Sequence, residues 1–593
     1  MPRERLPILE GDDSGIYILS LSVHGLVRGT DTELGRDADT GGQVLYVLDQ
    51  AKALARQPEV QQVDVLTRQI WDKKVDPVYA EPREELGDGA RIIRLPFGPR
   101  RYLRKESLWP YLPSMVDQIM RLVRARGRAP DLILGHYADA GLVGSQVAKI
   151  LAVPFIFTGH SLGRVKRERL EEKGLSSETL EERYRISQRI EAEERALETA
   201  ALVVASTRQE VRDQYELYDH YQPDRMVVIP PGVDLSRFSP PRETGQEDYG
   251  PMGQEVRRFL ADPGKPLIMA MARADERKNF GALVQAFGEN RELREKANLL
   301  LIMGNREDIR ELPSGARKVL SEILILIDRY DLYGSVAYPK AHQSEDVPQL
   351  YRMAAASGGV FVNPALTEPF GLTLLEAAAS GLPLVATNDG GPQDILKACD
   401  NGFLVNPMDP GEIGRKILEA LEDPDRWSAW SQNGISGVHR RFSWKSHARG
   451  YLEGVTRAMG GLPVEEVLGA KARRHHLSHL DRILVTDVDD TLTGNPEALE
   501  AVRETLERAG SHVGFGIATG RTLERAVEGL RELGLRTPDI LITASGTEIH
   551  YGDPFVEDLS WKRQINYRWE PGKVRESLLG MPGISPHGEG RST

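Results

Sequence analysis

Val360-Phe361-Val362-Asn363-Pro364-Ala365-Leu366-Thr367-Glu368-Pro369-Phe370-Gly371-Leu372-Thr373-Leu374-Leu375-Glu376 is the stretch whose reading settles the architecture. Its first four residues read as a short buried strand, and residues 371–380 read as a helix opened by Gly371. Residues 383–387 are the next apolar run. A strand, a turn, a helix and a second strand in such quick succession make a parallel crossover, with helices covering the sheet. Glu368 lies in the turn, and Glu376 stands two helical turns beyond it.

The same alternation runs outward in both directions. Upstream lie a strand at 266–272, a helix at 279–287, a strand at 299–303, a helix through Arg329, a strand at 335–338 and a helix at 347–357. Downstream, helices continue to about Met459. Earlier in the chain, apolar runs recur at 16–23, 63–67, 92–97, 131–135, 154–158, 202–206 and 226–230. In 44–55 the apolar Val44, Val47, Leu48, Ala51 and Leu54 fall on one stripe, entered through Gly41-Gly42. The charged stretch 164–198 predicts one long, largely exposed helix over 178–199. Residues 238–253, rich in Pro, Gly and charge, read as a linker or exposed loop.

A third unit starts near Lys471, with strands at 483–486, 513–518 and 540–544 and helices at 496–509 and 521–533. From Trp561 the pattern dissolves, and 582–593 has no period, so this unit reads as incomplete. The expected fold is α/β: two tandem doubly wound Rossmann-like domains, residues 1–245 and 246–465, and a partial α/β domain at 471–593. The last helix of the second domain, about 443–459, is expected to pack back on the first. A ligand cleft belongs at the carboxyl ends of the two large sheets.

Length agrees with this division, because 593 residues exceed the ~100–200 that one domain usually holds. With 88 acidic and 76 basic residues the formal charge is −12, which argues against nucleic acid or an anionic membrane as partner. The single cysteine, Cys399, points to a reducing compartment. No apolar run approaches the ~18–20 residues of a membrane span. A cytoplasmic location is therefore expected.

Arg273 ends one strand of the second domain and Lys278 opens the helix after it, a placement suited to clamping a diphosphate. A solvated loop, with Arg277 among the cations, explains the same residues. At Gly371 unencumbered backbone N–H groups can approach a phosphate. Glu376 can accept two ribose hydroxyl hydrogens while Glu368 reaches a sugar hydroxyl. An acidic turn matched to the helix dipole would account for the charges, but not for the whole Glu-Pro-Phe-Gly-Leu string.

That string, with Arg273 and Lys278 upstream, resembles the nucleotide-sugar site of retaining GT-B glycosyltransferases, over roughly residues 15–459. The resemblance narrows to sucrose-phosphate synthases through residues 20–29, 35–43 and 158–163, with Leu108-Trp109-Pro110 and residues 189–194. It implies transfer of glucose from UDP-glucose, with ADP-glucose as the alternative donor, to fructose 6-phosphate with retention. It implies Arg273, Lys278, Glu368, Phe370, Gly371, Leu372 and Glu376 as donor-binding residues. Arg273, Lys278 and Glu368 would share the catalytic role with His160, at the carboxyl end of the 154–158 strand. Acceptor binding falls to Gly41, Gly42, Gln43, Lys105 and Arg189. His24 and His136, also at strand ends, rank below His160. No cofactor is required for transfer, because cations replace a metal at the leaving diphosphate. The basic run Arg100, Arg101, Arg104 and Lys105 has a plain alternative as a hydrated patch.

In the third unit Asp487-Val488-Asp489-Asp490-Thr491-Leu492-Thr493-Gly494 resembles the first motif of haloacid dehalogenase-type phosphatases. The resemblance makes Asp487 the nucleophile and Asp489 the acid/base, both holding Mg2+, with Thr519 and Gly520 in the phosphate-binding second motif. Ala544-Ser545-Gly546-Thr547-Glu548-Ile549 is similar to the sucrose-phosphate phosphatase version. The family's later Gly-Asp-x-x-Asn-Asp-like motif does not occur, and Lys573, after a Pro-Gly turn, is a poor candidate for its lysine. An inactive phosphatase-like portion is expected, with a separate sucrose-phosphate phosphatase as partner. The competing readings are a sucrose synthase or other hexosyltransferase, a phosphatase carried by the third unit, and a silent scaffold. A scaffold has no use for a diphosphate clamp.

Overall fold

The computed structural model describes residues 15–33, 36–37, 39–151, 153–242 and 249–458, then 482–489, 491–493, 496–509, 513–552, 555–558, 561, 565 and 569–579. The expected boundaries at Met459 and Lys471, the motif residues Gly35, Ala38, Asp490 and Gly494, and the 582–593 tail lie outside these.

Eight strands form the first sheet: β1 Ile16–Leu21, β2 Val60–Arg68, β3 Arg83–Gly87, β4 Ala90–Leu95, β5 Leu132–His136, β6 Phe155–Thr158, β7 Leu202–Ala205 and β8 Met226–Val228. Their order is β3-β4-β2-β1-β5-β6-β7-β8. All neighbours are parallel except β3 and β4, which form an antiparallel edge hairpin absent from the expectation. The second sheet contains β9 Leu267–Met271, β10 Asn298–Ile302, β11 Val336–Ala337, β12 Val360–Asn363, β13 Leu384–Thr387 and β14 Gly402–Val405, in the order β11-β10-β9-β12-β13-β14. It is parallel throughout. Strand order reverses between β1 and β5 and between β9 and β12, and such switch points open crevices at the strands' carboxyl ends.

Each large sheet is buried on both faces, which is why its strands are continuous apolar runs. The Trp444–Ala458 helix leaves the second domain and buries Ala448, Tyr451 and Val455 in the core of the first. Its entry is tight: a Cβ on Gly232 would sit 2.5 Å from the Trp444 backbone. His447 Nδ1 lies 2.8 Å from the Pro230 carbonyl, and its Nε2 lies 3.1 Å from Gln50 Nε2 and 3.4 Å from the Tyr46 hydroxyl.

The charged stretch does not form one helix. It divides into Gly163–Glu172, Ser177–Tyr184 and Ile186–Thr199, with the last break at Arg185, whose φ is +48°. The reason is packing: Leu180, Ile186 and Ile190 all enter the first core, and an unbroken helix would turn one of these faces to water. The expected linker also ends in structure, a helix at Gly250–Arg257.

The third sheet has the order β15-β16-β17-β18-β19, built from Arg482–Thr486, Val513–Ala518, Ile540–Thr543, Glu548–Tyr551 and Val556–Glu557. Among the described residues its core cluster holds eight buried apolar side chains. Strand β15 lies on the edge, with Ile483, Leu484 and Val485 exposed by 46%, 42% and 44%. A helix at Pro571–Leu579 stands where no element was expected, and Lys573 lies within it rather than after a turn. Among the described residues no helix is long and apolar enough to cross a membrane.

Candidate active site

The two large domains touch near the carboxyl ends of their sheets. Gln209, past the end of β7, donates to Asp389, past the end of β13, at 3.0 Å.

On the second domain the loop after β12 is pressed against the loop after β13. Glu368 N–H donates to the Asp389 carbonyl, and Gly391 N–H donates to that of Glu368. A Cβ on Gly390 would lie 2.0 Å from the Glu368 carbonyl oxygen, and one on Gly391 would lie 2.2 Å from that of Phe370. Only glycine permits this approach, so Gly390-Gly391 shape the site, although nothing in the local pattern marks them. Gly371 takes φ +97° and opens the Leu372–Ala379 helix without a side-chain cap, a helix end whose first N–H groups lack intrahelical acceptors.

The cations stand opposite this helix end. The Lys278 ammonium lies 2.6 Å from Glu368 Oε2, and Asn363 Nδ2 donates to the same oxygen at 3.1 Å. Lys278 is held in place by its neighbour Asn279, whose side-chain amide donates to the Pro364 carbonyl at 3.0 Å and the Pro407 carbonyl at 2.8 Å. Arg273, past the end of β9, is exposed, and its guanidinium makes no hydrogen bond or ion pair among the described residues. Arg277 is turned away by Asp275, which accepts from it at 2.7 Å. Thus the structure separates the expected pair from the third cation of the loop. Phe370 is half-buried beside them and Leu372 is exposed. Glu376 accepts from the Tyr351 hydroxyl at 2.9 Å, and burial pushes its carboxyl up to about 7.

On the first domain Gly41 and Gly42 open the helix that carries Gln43, and a Cβ at either glycine would meet open space. Gln43 Nε2 lies 3.4 Å from the His136 carbonyl. His136 ends β5 and His160 follows β6 at φ +57°. Their Nδ1 and Nε2 atoms are 3.0 Å apart, so one ring donates and the other accepts. Burial pushes His136 well below the ordinary imidazole range and His160 down to about 3, with neighbouring histidines adding to both effects. Both rings are neutral at pH 7. His24 instead pairs with Asp139 at 2.8 Å. The structure therefore joins His136 to His160, where the sequence ranks them apart.

The expected acceptor cations are placed differently from one another. Lys105 is paired with buried Asp39, which also accepts from the Lys105 backbone at 2.9 Å. Arg189 is 3% exposed, donates through Nε to Glu193 at 2.9 Å and through Nη2 to the Ser161 carbonyl at 2.5 Å. Its guanidinium packs 4.4 Å from the Tyr137 ring centroid. Burial pushes the Glu193 carboxyl up, while Glu193 and Tyr137 together hold the Arg189 guanidinium charged against its own burial.

The sequence motifs do not single out Lys166. It sits in the Gly163–Glu172 helix, and burial together with the Arg189 and Lys105 charges lowers its ammonium to about 8. Lys105 and Arg189 thus stand close enough to Lys166 for their charges to act on it, which gathers three cations in one region of the first domain. Its position soon after His160 in the chain is the available signal.

In the third unit Asp487 is exposed, and Asp489 is paired with Arg521, which donates through Nε at 3.1 Å. Thr519 is buried and its hydroxyl accepts from the Arg521 backbone at 3.3 Å, while Gly520 is exposed. No group of three metal-ligating side chains gathers among the described residues. Among the described residues two carboxylates, one of them paired with a guanidinium, supply fewer free oxygen ligands than a magnesium site needs.

Comparison with known proteins finds three family matches along the chain. Residues 253–436 match the glycosyl transferases group 1 family. Residues 14–237 match the sucrose synthase first GT-B domain, and 480–591 match sucrose-6F-phosphate phosphohydrolase. Sucrose-phosphate synthase 4 of Arabidopsis thaliana is 38% identical over 721 aligned positions, covering 99% of this chain and 68% of that protein. Probable sucrose-phosphate synthase 1 of Oryza sativa subsp. indica is 46% identical over 75% of this chain and 46% of its own length. The chain thus spans about half to two thirds of these relatives. The solved sucrose-phosphate synthase of Thermosynechococcus elongatus superposes with a TM-score of 0.56 at 26% identity, over 75% of this chain and all of that one. Two large α/β sheets, cations past the ends of their strands and relatives so alike over nearly the whole chain lead to one conclusion: this glycosyltransferase belongs to the sucrose-phosphate synthase family.

Proposed function

We propose that the chain transfers glucose from UDP-glucose to fructose 6-phosphate with retention at the anomeric carbon. The observation that carries this reading is the pair of cation sets on facing sheet ends. Arg273 and Lys278 border the β9–β12 switch point, and Lys105, Lys166 and Arg189 gather on the other domain. A diphosphate leaving group and an acceptor phosphate each find positive charge there.

Transfer begins as the glucosyl C1–O bond breaks and its electron pair moves to the diphosphate, whose growing charge Arg273, Lys278 and the helix N–H groups stabilise. Glu368 keeps Lys278 aimed at the crevice and accepts a glucosyl hydroxyl. Neutral His160 hydrogen-bonds the same sugar. The acceptor's C2 hydroxyl attacks from the face the diphosphate leaves, and its proton passes to the departing phosphate oxygen. No cofactor enters these steps. The third unit binds or docks a sugar phosphate, and a separate phosphatase removes the product's phosphate in the cytoplasm.

Incubating the protein with UDP-glucose or ADP-glucose and either fructose 6-phosphate or fructose tests this reading. NMR of the products should show sucrose 6-phosphate with its glucosyl linkage α, together with the nucleoside diphosphate. Equal rates with fructose would overturn the acceptor assignment, and phosphate release lost in Asp487→Asn would favour the phosphatase reading.

The Glu376 carboxyl, at about 7, makes ribose recognition sensitive to pH. A carboxyl with that value is ~10% ionised at pH 6 and ~90% ionised at pH 8. Only the ionised form accepts hydrogens at both oxygens, so uridine affinity should rise several-fold between these pH values. Uridine has no phosphate to titrate in this range. Glu376→Gln should flatten the profile, and an unchanged slope would contradict the role.

A further inference from the structure

Beneath the carboxyl ends of the first sheet lies a buried layer of polar side chains. Ile18, Leu134 and Ile156 share one core with the Gly42–Ala55 and Trp444–Ala458 helices. Ser20, His136 and Thr158 stand two residues further along the same strands, so they turn to that face as well. The helices meet them with Tyr46, Gln50, His447 and Tyr451, and none of these side chains is more than 9% exposed. At one end of the layer chemistry assigns the hydrogens. The Pro230 carbonyl only accepts, so His447 carries its hydrogen on Nδ1, and its Nε2 accepts from the Gln50 amide at 3.1 Å. At the other end His136 Nδ1 meets His160 Nε2 at 3.0 Å, where either ring can be the donor. The atoms around them favour one choice. Gln50 Oε1, His136 Nε2 and the hydroxyls of Ser20, Thr158 and Tyr451 are buried without a hydrogen-bond partner among the described residues. A bare His136 Nε2 gives the hydroxyl hydrogens a second acceptor beside Gln50 Oε1. An N–H there would remove that acceptor and add one more buried hydrogen to be satisfied, and orphaned buried N–H groups are rare.

We propose that His136 is a positioning residue that holds the hydrogen of His160 on Nδ1, so that His160 meets the donor sugar as a hydrogen-bond donor. This deepens the proposed function and rests on its reading of His160 as a sugar contact. His136 Nδ1–H donates to His160 Nε2, which leaves the nitrogen that His136 does not engage as the N–H of His160. Both rings must be neutral for this, and burial keeps them so. Tyr46 holds the pair in place. Its ring lies edge-on to both, with centroids 4.8 Å from His160 and 5.8 Å from His136. The same ring lies 5.5 Å from His447, so the helix that returns from the second domain braces the two imidazoles from behind.

Long-range 15N–1H NMR of the full chain labelled with 15N-histidine distinguishes the two tautomers, and the His160 ring is identified by the signals that His160→Asn removes. An Nδ1–H tautomer at His160 is expected, and an Nε2–H tautomer would overturn the proposal. The spectrum is taken without substrate, so its outcome stands apart from that of the transfer reaction. Two variants then test the positioning role. In His136→Asn the amide can donate where the histidine Nδ1 stands, so His160 should keep its tautomer and kcat should stay within ~threefold of the parent's. In His136→Leu no donor remains, so the Nδ1–H tautomer should no longer dominate. Its kcat should fall ~tenfold, about the worth of one hydrogen bond, with the KM for fructose 6-phosphate nearly unchanged. Equal losses of kcat in the two variants, at thermal midpoints close to the parent's, would overturn the role of His136. So would an unaltered kcat in His136→Leu.

Discussion

Replacing Lys278 with alanine should lower turnover ~10²–10³-fold, the usual effect of losing one group that stabilises charge in the transition state. The geometry makes this a test of chemistry more than of folding. The Lys278 side chain is 28% exposed, and partly exposed ion pairs contribute little to stability. The loop itself is held by Asn279 and its two carbonyl partners, which the substitution leaves in place. Glu368 would keep its hydrogen bond from Asn363. A thermal midpoint close to the parent's should therefore accompany the fall in kcat. Lys278→Arg should recover part of the rate, because the charge returns while the reach changes. An unaltered rate at saturating donor would contradict the assignment of Lys278 to the leaving group.

Arg189→Lys should raise the KM for fructose 6-phosphate by ~10–100-fold and leave that for UDP-glucose nearly unchanged. Lysine keeps the charge beside Glu193 but cannot reproduce a planar fork that reaches Glu193 and Ser161 together. Arg189→Ala is the more severe variant. It strands the fully buried Glu193 carboxylate with only the Tyr218 hydroxyl and the Gly163 N–H as donors. Breaking a buried pair in this way typically costs ~3–5 kcal/mol. Alanine should thus lower the thermal midpoint sharply as well as acceptor binding, and lysine separates the two effects. A KM change confined to UDP-glucose would place Arg189 in the wrong subsite.

Most of the strand-and-helix order is legible in the amino-acid sequence. Strands such as β9, β10 and β12 are buried on both faces, and a continuous apolar run bounded by turn residues marks them. Only half of the hairpin β3–β4 shows, because β3 carries three charged residues and a single large apolar one, Leu86, which leaves little apolar signal. The split at Arg185 is hidden for a different reason. Charge and helix-forming residues run unbroken through 178–199, and the break exists only because three apolar side chains reach one core. In the third unit the motif order is plain, yet the Arg521–Asp489 pair is not, since those residues stand on different strands' ends.

The site follows the same division. Arg273, Lys278, Glu368 and Glu376 lie within two short segments whose turns position them, so their types and spacing carry the message. Lys166 and the His136–His160 pair come together from separate segments. Periodicity and turn chemistry act over a few residues, and they are enough to specify three α/β units and the loops that bear the chemistry. The meeting of Gln209 with Asp389 and of His447 with Gln50, 180 and 397 residues apart, requires the folded chain. Such contacts depend on where the packed layers return the backbone, and no local pattern encodes that distance.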